Sequence, residues 1–128
     1  MKITLLAPTL NEIEAVQVIL PKIKREWVDE IIVVDGGSTD GTIEYCQNNG
    51  YFVHKQKGRG YGQGMSDGTS MARGDVIVEF PPDGNSPPEK IPEHKDKIAM
   101  AAWACFVIVP LGMTPFLAVA ALFALFYW

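Results

Sequence analysis

The sequence predicts an α/β body built on a mostly parallel sheet, followed by an apolar C-terminal segment. Short apolar or β-branched runs alternate with helix-forming stretches in the order βαβαβαβ, which implies parallel strands joined by crossover helices. The run Ile31 to Val34 is continuously β-branched, the pattern of a strand buried on both faces, and a glycine-rich loop follows it at once. Every charged residue precedes Ile98, so the last 31 residues carry no charge. With 128 residues and 48% hydrophobic content, the chain has room for one domain plus an appendage, not for two cored domains. The boundaries expected are a domain over 1–97 and an apolar segment over 98–128.

The elements follow from local pattern. Ile3 to Ala7 is a short apolar strand ended by Pro8. Asn11 and Glu14 have the spacing of a capping box and open a helix. Val16, Ile19, Leu20 and Ile23 give that helix one apolar stripe, with Pro21 as a point of kinking or shortening. After the buried strand, Thr42 to Asn48 forms a second helix that ends at Gly50. Tyr51 to His54 is a third strand, Met65 to Ala72 a helix after a glycine-rich loop, and Asp75 to Phe80 a fourth strand. In such folds ligands bind beyond the carboxyl ends of the strands. The informative loops are therefore Pro8 to Glu12, Asp35 to Gly41 and Pro81 to Pro88.

Each loop has a functional and a plainer reading. In Asp35-Gly36-Gly37-Ser38-Thr39-Asp40-Gly41-Thr42, glycines allow close approach of a ligand, Asp35 offers an acceptor for a ribose hydroxyl or a base, and the following helix start favours anions. The plainer reading is a turn capped by Ser38 or Asp40; its place at the end of a buried strand favours binding. Lys57-Gly58-Arg59-Gly60-Tyr61-Gly62-Gln63-Gly64 fits neither GxGxxG nor a P-loop, yet its basic residues suit a loop over a diphosphate as well as they suit a plain surface loop. Asp83 and Asn85, between Pro81-Pro82 and Pro87-Pro88, have oxygen ligands at a spacing that suits Mg²⁺ or Mn²⁺; the plainer reading is a proline-rich turn.

Charge and cysteine content exclude other classes. A net charge of −4 removes the counterion-release term on which nonspecific nucleic-acid binding depends, so no nucleic-acid partner is expected. Cys46 and Cys105 are too few and too far apart for a disulfide scaffold and suit a reducing compartment. The N-terminal residues show no leader-peptide pattern.

Taken as a set, the loops resemble family 2 glycosyltransferases of the GT-A fold, especially the polyprenyl-phosphate sugar transferases. The matching pieces are Pro8-Thr9-Leu10-Asn11-Glu12, Val34 to Thr42, Lys57-Gly58, Gly68, Ala72-Arg73-Gly74-Asp75, and Asp83-Gly84-Asn85 leading to Pro87-Pro88-Glu89-Lys90-Ile91-Pro92. The resemblance implies a parallel-sheet, Rossmann-like nucleotide-binding half domain covering residues 1 to about 93. It implies that Pro8, Asn11, Glu12 and Asp35 line the nucleotide pocket, that Lys57 lies near the phosphates, and that Asp83 with Asn85 holds Mg²⁺ or Mn²⁺. Two departures stand out. Gly36 occupies the position where the family usually has a second Asp, which leaves the base, UDP- or GDP-linked, open. Pro81 occupies the first position of the family's DxD metal motif. Beyond Pro92 the acceptor half that the resemblance leads one to expect is replaced by apolar sequence.

The 98–128 segment exceeds the roughly 20 residues that cross a bilayer as a helix. Lys90, Lys95 and Lys97 precede it and nothing basic follows, so the expectation is a single-pass membrane protein with its N-terminal body cytoplasmic. A product of deletion or frame change is the alternative origin of this tail. The expected activity is transfer of a sugar from a nucleotide sugar to a polyprenyl or dolichyl phosphate or similar lipid phosphate at that membrane face. The alternative is an inactive, membrane-tethered module that binds a nucleotide sugar without turnover.

Overall fold

The computed structural model describes residues 1–58 and 60–93. Arg59, the boundary expected at residue 97 and the 98–128 segment expected to span a membrane lie outside the described residues. Among the described residues no helix is long and apolar enough to cross a membrane. Met1–Lys90 forms one compact unit.

Four strands form one parallel sheet: β1 (Ile3–Thr9), β2 (Glu30–Asp35), β3 (Phe52–Lys55) and β4 (Val76–Glu79), in the spatial order β3-β2-β1-β4. Three helices connect them: α1 (Ile13–Ile19), α2 (Thr42–Asn48) and α3 (Tyr61–Met71), with a 3-10 turn over Leu20–Lys22 after α1. The predicted βαβαβαβ order is the one observed. The chain winds outward from β1 to β3 and then crosses back to place β4 on the other side of β1. That reversal opens a crevice at the carboxyl end of β1.

The central strands carry the core. Register pairs Leu6 with Ile32, Ala7 with Val33 and Pro8 with Val34. Leu6, Ile32 and Val34 share one face, against which Met65 and Met71 of α3 and the adjoining Ala72 pack. Leu5, Ala7, Ile31 and Val33 alternate onto the other face and are equally buried. Val16 and Ile19 of α1 and Cys46 of α2 are buried too, on the helices left to cover that face. β2 is therefore covered on both sides, as its unbroken β-branched run requires. Phe52 and Ile77, on the two outer strands, are the exposed apolar residues of the sheet.

β3 and β4 differ from expectation by one residue at each end, and three further differences each have a physical reason. β1 continues through Pro8 to Thr9. Phe80 N donates to Leu6 O on the β4 side, and alternation turns Pro8 to the same side, beyond the last β1–β4 pair at Leu6 and Glu79. No ladder hydrogen bond is lost there. α1 begins at Ile13 without Asn11 as its cap: Asn11 takes a left-handed φ of 55° and turns its side chain to the neighbouring loop. α3 starts at Tyr61, four residues before the predicted Met65, despite Gly62 and Gly64. Glycine costs helix stability, but Gly64 and Gly68 lie one turn apart and form the face that meets the sheet. A Cβ on Gly68 would lie 2.8 Å from Val34 Cγ2 and 3.2 Å from Leu6 Cδ1; one on Gly64 would collide with the Gln56 side chain. Packing overrides propensity along this helix.

This packing has measurable consequences. Gly68→Ala overfills the α3–sheet contact and lowers stability by about 1–3 kcal/mol, whereas Gly62→Ala, with nothing within 4 Å of the added Cβ, raises it by about 0.4–1 kcal/mol. Urea melts of the two variants therefore move in opposite directions, and a shift of the same sign in both would contradict the described packing. The Cys46 thiol is fully buried, and burial, aided by the Asp35 charge, pushes its pKa up to about 11. In a Cys105→Ser background it resists a thiol reagent at neutral pH until denaturant is added; fast labelling of the folded chain would contradict that burial.

Candidate functional site

The loops after β1 and β2 are stitched together by side chains. Asp35, the last residue of β2, has no exposed surface. Its Oδ1 accepts from Gly37 N at 2.8 Å and Ser38 N at 2.7 Å; its Oδ2 accepts from Thr9 Oγ1 at 2.9 Å and Ser38 Oγ at 2.6 Å. Four donors occupy a carboxylate that has about four acceptor positions. Ser38 Oγ also accepts from Asn11 N, and Asn11 Oδ1 accepts from Thr39 N. Asp40 then serves two helices at once. Its Oδ2 accepts from Ile13 N at the start of α1, and its Oδ1 accepts from Thr42 N at the start of α2. The Thr42 hydroxyl, then the amides of Ile13 and Thr42, hold the Asp40 carboxyl below its ordinary range. Thr42 Oγ1 accepts in turn from Glu12 N.

Above this frame lies a cleft of about 460 Å³ at the carboxyl ends of the strands. Its walls come from Pro8, Thr9, Leu10 and Glu12 after β1 and from Val34 and Gly36 on β2 and its loop. Gln56 and Gly60 contribute from the segment between β3 and α3, Tyr61, Gly64 and Met65 from the first turns of α3, and Pro81 and Asp83 from the loop after β4. The Tyr61 hydroxyl donates to Glu79 at the end of β4, which joins the start of α3 to the β4 side of the cleft.

The residues singled out from the sequence do not all reach the cleft. Pro8, Glu12 and Asp83 lie on the cleft lining. Asn11 and Asp35 lie in the bracing layer instead: Asn11 ties the two loops, and Asp35 is sealed beneath them. Lys57 is exposed and off the lining. Its charge bears on Asp67 of α3, which is held below its ordinary range first by Gln63, then by His54, and only last by Lys57. Asn85 is exposed and braces Asp83, donating from N to Oδ1 at 2.9 Å and from Nδ2 to Oδ2 at 2.8 Å. These two bonds, the backbone one first, pull the Asp83 carboxyl below its ordinary range, so it is ionised at neutral pH.

The donors around the cleft suit a divalent cation in one mode only. Among the described residues no group of three His, Cys, Asp or Glu side chains converges on one point. Asp83 nevertheless retains acceptor positions beyond its two bonds to Asn85. Mg²⁺ is commonly held by one or two carboxylates, with substrate phosphates and water completing its shell. The cleft fits that mode and would not fit a cation held by protein ligands alone.

Leu10, Gly36, Gln56 and Tyr61 are lining residues that sequence pattern does not assign to the site. Gly36 stands out in the sequence as a loop glycine that allows close approach of a ligand and as a departure from the family motif, and Tyr61 only as part of a glycine-rich loop. Their signal is position: each follows a strand or opens a helix at the carboxyl edge of the sheet.

The bracing layer separates two carboxylates by role. Asp35→Ala leaves buried donors without acceptors and costs about 3 kcal/mol or more, lowering the melting temperature well beyond the loss in Asp40→Ala, whose carboxylate is open to water. Calorimetric melts of both variants check the order, and equal shifts would contradict the buried network.

The family model described as Glycosyl transferase family 2 matches residues 4–109. Among curated relatives, the chain is 37% identical over 65 residues to Glycosyltransferase AglJ of Haloferax volcanii, covering 51% of this chain and 22% of that protein. It is 30% identical over 112 residues to the undecaprenyl-phosphate mannosyltransferase of Micrococcus luteus, covering 79% and 46%. It is 33% identical over 101 residues to the dolichol-phosphate mannosyltransferase of Pyrococcus furiosus, covering 73% and 29%. The chain thus spans less than half the length of these relatives. Glucosyl-3-phosphoglycerate synthase from Mycobacterium tuberculosis, solved with Mn²⁺, UDP and glucosyl-3-phosphoglycerate, superposes with a TM-score of 0.59 at 31% identity, covering 71% of this chain and 37% of that one. Staphylococcus aureus TarS 1-349 superposes at 0.62 with 21% identity, covering 80% and 33%, a likeness of fold alone. The parallel α/β body is GT-A-like. Its matched span, its sheet order and the cleft at the end of β1 together place this chain in glycosyl transferase family 2.

Proposed function

We propose that this chain is the donor-binding portion of a glycosyltransferase that moves a sugar from a UDP- or GDP-linked donor to a polyprenyl or dolichyl phosphate. The observation that carries the reading is the cleft at the switch point of the sheet, with an ionised Asp83 on its β4 side. The named relatives that act on undecaprenyl or dolichol phosphate support the acceptor. The solved neighbour with Mn²⁺ and UDP supports the donor class and a divalent cation.

In this reading an oxygen of the acceptor phosphate bonds to the anomeric carbon as the bond from that carbon to the donor's diphosphate oxygen breaks, and the nucleoside diphosphate leaves. A phosphate acceptor is already anionic and calls for little help from a general base. Bound Mg²⁺ or Mn²⁺ supplies the positive charge that neutralises the departing diphosphate. The chain's own contribution is placement. Asp83, fixed by Asn85, holds the cation end of the donor, while Pro8 and Glu12 flank the nucleotide on a frame locked by Asn11, Asp35 and Asp40. Lys57 reaches the phosphates only if its segment turns toward the cleft. The charge-free 98–128 segment, with Lys90, Lys95 and Lys97 ahead of it, supports attachment to the membrane with the body on the cytoplasmic face.

A second reading, a module that binds nucleotide sugar without turnover, is favoured by one observation. Pro81 lies on the lining two residues before Asp83, leaving one carboxylate on that loop to meet the cation. Calorimetric titration with UDP- and GDP-sugars, with and without Mn²⁺ or Mg²⁺, followed by a transfer assay on polyprenyl phosphate, separates the two. The cation strengthens donor binding to the native chain, and Asp83→Ala removes that dependence and lowers transfer by about 10²-fold or more. Binding without transfer selects the second reading, and an unchanged cation response in Asp83→Ala overturns the assignment of Asp83.

A further inference from the structure

We propose that Tyr61, tethered across the cleft by Glu79, is the surface against which the sugar of the donor lies, an inference that rests on the nucleotide-sugar reading and names the side chain that meets the transferred group.

Tyr61 opens α3 and lies three residues before Gly64, so it belongs to the helix face that meets the sheet. Gly64 already stands over Val34, the last residue but one of β2, and Tyr61 lies about 4.5 Å further along the helix axis. That carries it past the end of the sheet and onto the cleft lining, where it is the one aromatic side chain among the described residues. Its ring is not a packing element. Gly64 and Gly68, one and two turns on, come into close contact with Val34 and Leu6, whereas Tyr61 stays 56% exposed. A ring kept for the stability of the helix would be buried on that face.

The ring is nevertheless fixed. Its hydroxyl donates to Glu79, the last residue of β4, which pairs in register with Leu6 and so lies on the face that α3 covers. Tyr61 is thus held at its backbone by α3 and at its hydroxyl by β4. Glu79 itself is exposed and off the lining, so its part is to position the ring. Asp83 follows Glu79 on the same side of the cleft, which sets the hydroxyl end of the ring toward the end where the cation and diphosphate would sit. The sugar is bonded to that diphosphate, and the nucleoside extends from its other end. The walls offered to the sugar on this side are Pro81 and Tyr61. A pyranose carries hydroxyls on its rim and C–H groups on its face, and a flat aromatic ring takes that face by dispersion and weak C–H contacts. A ring already held at both ends loses little freedom when it does so.

The test is calorimetric titration of the full-length chain in detergent and Mn²⁺ with two pairs of ligands, UDP against UDP-glucose and GDP against GDP-mannose. In the pair that the native chain binds, Tyr61→Ala weakens the nucleotide sugar by about three- to tenfold and the bare nucleoside diphosphate by less than about twofold, the scale of one lost aromatic contact. Tyr61→Phe keeps the flat ring and loses the tether, and Glu79→Ala removes the tether from the other side. Both therefore fall between the native chain and Tyr61→Ala for the nucleotide sugar. Alanine is the best helix former, so the truncation spares α3; a thermal melt checks this, and Tyr61→Leu supplies the same comparison with apolar bulk retained. A folded Tyr61→Ala or Tyr61→Leu chain that loses affinity for both ligands by the same factor, or for neither, overturns this inference and leaves the nucleotide-sugar reading standing. Failure of all four ligands to bind the native chain overturns that reading, and this inference with it.

Discussion

A carboxylate without exposed surface, Asp35, is the constraint on which the working end of the sheet depends. Burying a charge costs several kcal/mol unless donors replace the lost water. Here they come from both sides of the β1–β2 pair: Thr9 from one strand end, Gly37 and Ser38 from the loop after the other. The loop conformation that satisfies the charge also sets Ser38 against Asn11 and Asp40 against the first amides of α1 and α2. One electrostatic requirement thus fixes two loops and two helix starts. The cleft inherits its shape from them.

The second determinant is how closely α3 approaches the sheet. Gly64 and Gly68 present bare backbone to Val34 and Leu6, and the helix start is brought to the cleft with Tyr61 on its edge. Tyr61 then reaches Glu79, so the β3–α3 segment and the end of β4 are joined across the opening. The close packing and the site's outer wall are one feature.

Charge is distributed along the cleft in a way that suits a ligand with unlike ends. Asp83 is held ionised by Asn85 on the β4 side, Glu12 stands after β1, and the β2 side is neutral at Gly36. A single protein carboxylate needs the diphosphate itself to complete a cation's shell, so cation and donor would bind as one unit. In the proposed function this would tie metal affinity to donor affinity more tightly than a site built from several protein ligands.

Much was legible in the sequence because it depends on local pattern. The alternation of apolar runs with helical stripes determined the βαβαβαβ order, and the β-branched run at Ile31 to Val34 determined a strand covered on both faces. Position at the strand ends marked the loops 8–12, 35–41 and 81–88, and the family resemblance singled out within them Pro8, Glu12 and Asp83, which line the cleft. Tertiary structure decided what local pattern does not encode. Asp35 reads as a ligand contact from its type and place and Asn11 from the family resemblance, and only the partners that meet them from elsewhere in the chain make them braces. Tyr61 to Gly64 read as loop because glycine disfavours helix, and only contact with Leu6 and Val34, far off in sequence, makes helix the better state. In each case the deciding energy lies between residues separated by many positions, and neither composition nor spacing carries it.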